Sequence, residues 1–138
     1  MNLLARGLVI LVALLHIGFL VLEMFLWTGP VGQRVFAMTP EFAEQTAVLA
    51  ANQGLYNGLI AAGLIWSALR NNREFMIFFT LCVVAAGIYG GLTAKMSILY
   101  MQAAPGLVAL LAVLSARPKA ALDCERLARL TLHPRAPK

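Results

Sequence analysis

Four long apolar blocks, separated by short polar segments, follow one another along the chain. They cover about residues 7–27, 47–69, 75–94 and 97–116. The hydrocarbon core of a bilayer needs about 20 helical residues to be crossed, and each block is about that long. The pattern predicts an all-α polytopic membrane protein, an antiparallel bundle of four transmembrane helices. We expect a transmembrane domain over residues 1–116 and a basic cytoplasmic tail over residues 117–138.

Local signals refine this pattern at three places. The first block is long for the apolar part of a signal peptide and no clear small-x-small cleavage site follows it, so we expect a retained helix. Thr39 and Pro40 suit the cap and first position of the second helix. Pro105 interrupts the fourth block and predicts a kink there.

Composition supports the membrane interpretation. Hydrophobic residues make up 61% of the chain and charged residues 12%, whereas soluble domains average about 25% charged residues. A soluble chain of 138 residues could not bury so much apolar surface. The two cysteines, Cys82 and Cys124, show neither a disulfide framework nor metal-ligand spacing. We therefore expect no metal site and no cofactor.

The net charge of +5 lies between and after the apolar blocks. We interpret it as topology information and not as a surface for nucleic acid. With four spans, one side of the membrane holds Arg6, Arg70, Arg73, Arg117, Lys119, Arg126, Arg129, Arg135 and Lys138, and the other side holds Arg34 and Lys95. The positive-inside rule then predicts that both termini lie in the cytoplasm.

Two pairs of glycines have the four-residue spacing that lets helices approach closely in lipid. Gly54 and Gly58 lie in the second block, and Gly87 and Gly91 in the third. One interpretation is intramolecular packing of helices two and three, which we favour because a four-helix chain must first pack on itself. The other is the seam of a homo-oligomer. We predict that Gly54 and Gly58 lie at a helix–helix contact.

Polar side chains from all four blocks fall in the membrane, most of them in its outer half. The candidate ligand-binding set is His16, Glu23, Asn52, Gln53, Tyr56, Asn57, Tyr89 and Gln102. At 1.5 Å per residue, His16 lies about 14 Å and Glu23 about 24 Å from the cytoplasmic end of the first helix. By depth, Glu23 should meet Asn52 and Gln53.

By the same measure, His16 should meet Tyr56 and Asn57. An acidic side chain in the membrane centre costs about 2.5–3.5 kcal/mol, so we predict that Glu23 points into the bundle. We expect an amide of Asn52, Gln53 or Gln102 within hydrogen-bond reach of its carboxyl group, directly or through one water.

The polar stretches resemble a known family. The segments "HIGFLVLEMFLW", "LAANQGLYNGLIAAGLIW", "VVAAGIYGGLT" and "MQAAPGLVALL" are similar to those of small bacterial membrane proteins of domain-of-unknown-function family 1304. The likeness covers roughly residues 3–114, and "NQGLYNG" is its most specific part. The resemblance implies four helices and an integral location in the bacterial inner membrane, and it brings no established activity.

Three functions remain open. A binding or transport protein would hold a small polar or amphiphilic molecule among these side chains, and carboxamides with a carboxylate suit a cationic or hydroxylated group. A membrane enzyme of isomerase or cyclase type would use His16 and Glu23 as catalytic acid and base on a lipid-soluble substrate. A structural or assembly subunit would need the polar groups only as hydrogen-bonding glue between helices.

This set of polar side chains is larger than hydrogen bonding between helices requires, and most of it lies in one half of the bilayer. We therefore favour binding or transport. Bis-His haem ligation within one chain is excluded because only one histidine lies in a span. The expected partners are the lipid bilayer, a small-molecule ligand and, if the glycine faces form a seam, a second copy of the chain.

Overall fold

The computed structural model describes residues 3–116. The predictions made for the basic tail, including the orientation signal of its six Lys and Arg residues, lie outside the described residues.

Residues 3–116 are helical, with no β-strand among them. The helices are α1 (Leu3–Phe25), α2 (Pro30–Phe36), α3 (Pro40–Leu69), α4 (Arg73–Thr93) and α5 (Met96–Ser115). Within this part of the chain, α1, α3, α4 and α5 are long and apolar enough to cross a membrane. The predicted fold class is confirmed: the protein is all-α, with four helices of membrane-spanning length.

The start of α3 is fixed by local chemistry. The Thr39 hydroxyl accepts a hydrogen bond from the Phe42 N–H at 3.3 Å, and Pro40 takes the first helical position. Both features satisfy or remove N–H groups that a helix start leaves unpaired. The α3–α4 connection is tight, because Asn71 takes a left-handed conformation with φ 52° and Asn72 caps α4.

The short helix α2 was not predicted. Its sequence, "PVGQRVF", is too short to show a helical repeat and follows a glycine. Packing holds it in place: the rings of Trp27 and Phe36 lie 4.7 Å apart. Lys95, in the α4–α5 connection, donates from Nζ to the carbonyl of Val35 at 2.7 Å. These contacts fix α2 to the end of the bundle where α3 begins.

The four long helices form a ring in which each packs against two neighbours, in the order α1, α3, α4, α5 and back to α1. The most extensive contact is between α1 and α3. Each long helix turns one stripe of small or β-branched residues inward, such as Val9 and Val12 in α1 and Ala61 in α3. Small side chains allow the close approach that packing in lipid requires.

The glycines lie at these contacts, as predicted for Gly54 and Gly58. A Cβ atom on Gly54 would come within 2.6 Å of Met24 Cγ and 3.2 Å of the Leu20 carbonyl oxygen in α1. A Cβ on Gly58 would meet the Leu20 side chain. The packing is intramolecular, and the partner of these glycines is α1, not the third long helix.

Pro105 does perturb the fourth long helix, through a π-helical segment over Leu99–Ala103. The Ala104 N–H there donates to the Leu99 carbonyl, five residues back. Proline has no N–H to give, and its ring clashes with the carbonyl four residues earlier. A widened turn just before the proline accommodates both effects.

Two arginines close the opposite end of the bundle, near the first residues of α1 and α4. Arg6 donates from Nε to the carbonyl of Ala68, and Arg73 donates from Nη2 to that of Leu114, both at 3.0 Å. Each acceptor belongs to the last turn of a neighbouring helix, where carbonyls lack intrahelical partners.

Candidate functional site

His16 is the most deeply buried ionisable side chain among residues 3–116, with 2% of its surface exposed. Its Nδ1 lies 2.9 Å from the carbonyl oxygen of Val12, one turn earlier in α1. The ring also makes an edge-to-face contact with Phe19, at 5.6 Å between centroids. These two contacts fix the orientation of the imidazole.

Glu23 has a polar neighbour from another helix, as expected, but the residue differs from those predicted. Asn57 donates from Nδ2 to Glu23 Oε2 at 2.7 Å. The predicted partners were Asn52, Gln53 or Gln102, and the prediction of a direct bond from one of them is wrong. A contact through one water stays a prediction.

The direction in which helical side chains lean explains the difference. Each Cα–Cβ bond tilts toward the N-terminus of its own helix. Because α1 and α3 are antiparallel, Glu23 and Asn57 lean toward each other along the bundle axis. A pair of opposed side chains therefore meets across a vertical offset of about one turn. Matching residues by the depth of their Cα atoms ignores this offset. It therefore paired Glu23 with Asn52 and Gln53, about one turn closer to the start of α3 than Asn57.

Rotation about the helix axis explains two further outcomes. The buried stripe of α3 includes Gly54 and Asn57, and that of α4 includes Gly87. Asn52 lies two residues before Gly54, and Tyr89 lies two after Gly87, which places both about 160° from those stripes. Both are accordingly exposed, Tyr89 to 72%. The structure does not bring Asn52 or Tyr89 together with the other candidates.

A cleft of about 170 Å³ lies between the four long helices. It is lined by His16 from α1, by Gln53, Tyr56, Asn57 and Ile60 from α3, by Cys82, Val83 and Ala86 from α4, and by Gln102 from α5. Five of the eight candidate side chains thus border one space, among them His16 with Tyr56 and Asn57, which depth had paired. Glu23 does not line the cleft, but its carboxyl group accepts the hydrogen bond from Asn57, which does.

The cleft has a buried floor and an exposed rim. His16, Asn57 and Val83 form the floor, each with less than a tenth of its surface exposed. At the rim, Tyr56 is 57% exposed and Ala86 is also exposed. The rim residues belong to α3 and α4, so the cleft opens between these two helices.

Gln102 reaches the cleft from the π-helical segment. Its Nε2 donates to the carbonyl of Val83 in α4 at 3.4 Å. The widened turn and the glycine opposite it at position 87 bring α5 close to α4 here, since a Cβ on Gly87 would lie 2.6 Å from the Ala103 nitrogen. Irregular turns of this type occur frequently at functional sites.

Sequence reasoning missed four lining residues: Ile60, Cys82, Val83 and Ala86. Three of them are hydrocarbon side chains in apolar blocks, which carry no polar signature. Cys82 is a free, half-buried thiol. Its four-residue spacing from Ala86 places both on one side of α4, but nothing in the sequence shows that this side borders a cleft.

Comparison with known proteins identifies the family to which the chain belongs. The family model described as "Protein of unknown function (DUF1304)" matches residues 10–114. The chain is 33% identical over 115 residues to "Uncharacterized protein YpaA" of Lactococcus lactis subsp. lactis (strain IL1403), an alignment that covers 80% of this chain and 97% of that protein. No solved structure matches the chain. The family match includes parts or all of the four long helices and every residue that lines the cleft, and the chain belongs to the DUF1304 family.

Proposed function

We propose that this protein binds a small amphiphilic molecule in the cleft between its four long helices. The observation that carries the proposal is a buried imidazole, that of His16, at the floor of a cleft to which all four long helices contribute. Polar groups inside a membrane are costly and are retained mainly where they face water, a partner or a ligand. Asn57 and Gln102 do make direct hydrogen bonds between helices, as a purely structural role would require. Such a role does not explain the cleft or His16 in its lining, whose hydrogen bond stays within α1.

The proposal includes a location. Membership of the family supports a bacterial inner membrane, and the excess of Lys and Arg on one side supports cytoplasmic placement of both termini. Arg6, Arg70 and Arg73 lie at the end of the bundle that this rule assigns to the cytoplasm. The rim of the cleft then lies at membrane depth, since Gln53 and Ala86 are each about 20 Å from the start of their helix. A ligand therefore reaches the cleft from the lipid.

Binding is preferred to acid–base catalysis because of the position of Glu23. An acid–base pair needs both groups within hydrogen-bond reach of one substrate, directly or through one water. His16 lines the cleft, whereas the Glu23 carboxyl group lies behind Asn57. Asn57 is a positioned amide, and it is the group through which Glu23 influences the cleft.

Photo-crosslinking tests the proposal in membranes. The probe is a fatty alcohol that carries a diazirine close to its hydroxyl group, and mass spectrometry locates the crosslinked residues. We expect crosslinks on the cleft-lining residues of α3 and α4. In Ala86→Leu, a larger side chain fills the rim, so these crosslinks should fall at least severalfold.

Ala85→Leu is the matched control. Ala85 is exposed like its neighbour but does not line the cleft, so the same added volume there should leave crosslinking unchanged. Crosslinks spread over the lipid-facing surface, equally in all three proteins, would refute binding in the cleft.

A further inference from the structure

We propose that the ligand presents a hydroxyl group on a ring-sized head, and that this hydroxyl donates its hydrogen to His16 Nε2. This inference rests on the proposed function and deepens it, because it names the chemical class of the bound molecule. Access is lateral, from the lipid, through the opening between α3 and α4.

The hydrogen bond to Val12 fixes the role of the His16 ring. A backbone carbonyl can only accept, so Nδ1 carries a hydrogen and donates it. In the neutral imidazole, Nε2 then holds the lone pair. Nε2 has no hydrogen-bond partner among residues 3–116. Because Nδ1 is turned back to its own helix, Nε2 lies on the far side of the ring, toward the cleft that His16 lines.

Two amides give the cleft the same acceptor character. Asn57 donates one amide hydrogen to Glu23, and Gln102 donates one to the Val83 carbonyl. Their carbonyl oxygens, Oδ1 and Oε1, can accept, as His16 Nε2 can, and each amide nitrogen keeps a second hydrogen. A ligand hydroxyl suits this cleft, because it can donate to His16 Nε2 and accept from an amide. A hydroxyl donor fits better than an ammonium group, because a charge is far more costly to bring into the membrane interior.

The cleft volume sets the size of the head group. An apolar protein cavity of about 150 Å³ holds one benzene molecule, and this cleft measures about 170 Å³. A six-membered ring with one hydroxyl substituent therefore fills it. Ile60, Val83 and Ala86 supply apolar surface for the ring. Any hydrocarbon chain on the ring would leave between α3 and α4 into the lipid.

Cys82 supplies a probe of occupancy inside the cleft. In the full chain with Cys124→Ala, Cys82 is the sole thiol. The protein is placed in phosphatidylcholine nanodiscs, and the rate of alkylation by N-ethylmaleimide is measured. The two probes are p-cresol and p-xylene, which have the same shape and differ only by hydroxyl against methyl. We expect p-cresol to protect Cys82 at a concentration about threefold to tenfold lower than p-xylene, the gain expected from one neutral hydrogen bond.

His16→Phe should abolish this difference while both compounds still protect. Equal protection by the two compounds in the unsubstituted protein overturns the hydroxyl assignment and leaves the proposed function standing. A preference for p-cresol that persists in His16→Phe also overturns the role of Nε2. If neither compound protects Cys82 at any concentration, the proposed function fails as well.

A second measurement does not depend on the variant's folding or on thiol reactivity. With ¹⁵N-labelled histidine and His133→Ala, the only imidazole signals come from His16. We expect p-cresol to shift the Nε2 resonance in the direction of an accepted hydrogen bond and p-xylene to leave it in place. An Nε2 signal that responds identically to both compounds, or to neither, overturns the inference.

Discussion

Gly87→Ala tests how closely α4 and α5 depend on each other. The added methyl group would lie 2.6 Å from the backbone nitrogen of Ala103 and 2.9 Å from its Cα and Cβ atoms. None of these atoms belongs to a flexible side chain that could turn away. The two helices must therefore separate locally by about 0.5–0.8 Å to restore ordinary van der Waals distances.

The magnitude follows from two opposing terms. Overpacking of a well-packed contact costs about 1–3 kcal/mol. Alanine regains up to about 1 kcal/mol over glycine through its higher helix propensity. The net expectation is that Gly87→Ala lowers the free energy of unfolding by about 1–2 kcal/mol. The Gln102 bond to the Val83 carbonyl, already 3.4 Å long, should weaken at the same time because it spans the same contact.

The assay is reversible unfolding by SDS in mixed micelles, followed by the fluorescence of the two tryptophans. Gly90→Ala is the matched control in the same helix. The nearest atom to its added methyl group would be Ile98 Cγ2 at 3.2 Å, so this side chain need give way by only a few tenths of an ångström. We expect this control within about 0.5 kcal/mol of the unsubstituted protein. Equal stability of the two variants would refute the reasoning.

Three further predictions use the same unfolding assay or simple labelling. Asn57→Leu should destabilise the protein by about 1–3 kcal/mol, because it leaves the Glu23 carboxyl group inside the bundle without its amide donor. Glu23→Gln, whose side-chain oxygen can still accept, should have nearly the stability of the unsubstituted protein. A larger loss of stability in Glu23→Gln than in Asn57→Leu would contradict the assigned bond. Arg6→Leu should cost about 1–2 kcal/mol through loss of the bond to the last turn of α3, and a neutral result would mean that water replaces the guanidinium. In Cys82→Ala, the remaining Cys124 should resist an impermeant maleimide in intact cells and react after lysis, as cytoplasmic termini require; ready labelling from outside would reverse the topology.

The sequence determines the fold more fully than the site, for a physical reason. The length of each apolar block can be compared directly with the thickness of the bilayer, because both are distances along one axis. This comparison identified the four helices of membrane-spanning length. The glycine spacing is also one-dimensional, and Gly54 and Gly58 do lie at a helix contact. A binding site depends on rotation about each helix axis as well. Asn52 and Tyr89 share a depth with the other candidates and face the wrong way.

The spacing of small residues in the sequence also indicates which side of a helix faces the core. In α3, small residues recur at intervals of four or seven through Ala43, Ala50, Gly54, Ala61 and Ala68, and all of them are buried. Asn57 falls in that series and Asn52 does not. The positions of α2 and of Cys82 could not be derived in this way. The first depends on tertiary contacts of Trp27 and Lys95, and the second on which side of α4 borders the cleft.

The π-helical segment also bears on insertions and deletions in this chain. Such a turn is equivalent to an α-helix into which one residue has been inserted. Removing one residue from elsewhere in α5 would rotate all later positions by about 100° and turn the stripe that includes Ala109 and Val113 away from the core. Removing one within Leu99–Ala103 would leave that stripe in register but would place Pro105 in a regular helix, where its ring clashes with the carbonyl four residues earlier. The wide turn is therefore the place in α5 where chain length can vary with the core stripe still facing inward, at the expense of Gln102, the cleft and a strained turn at Pro105.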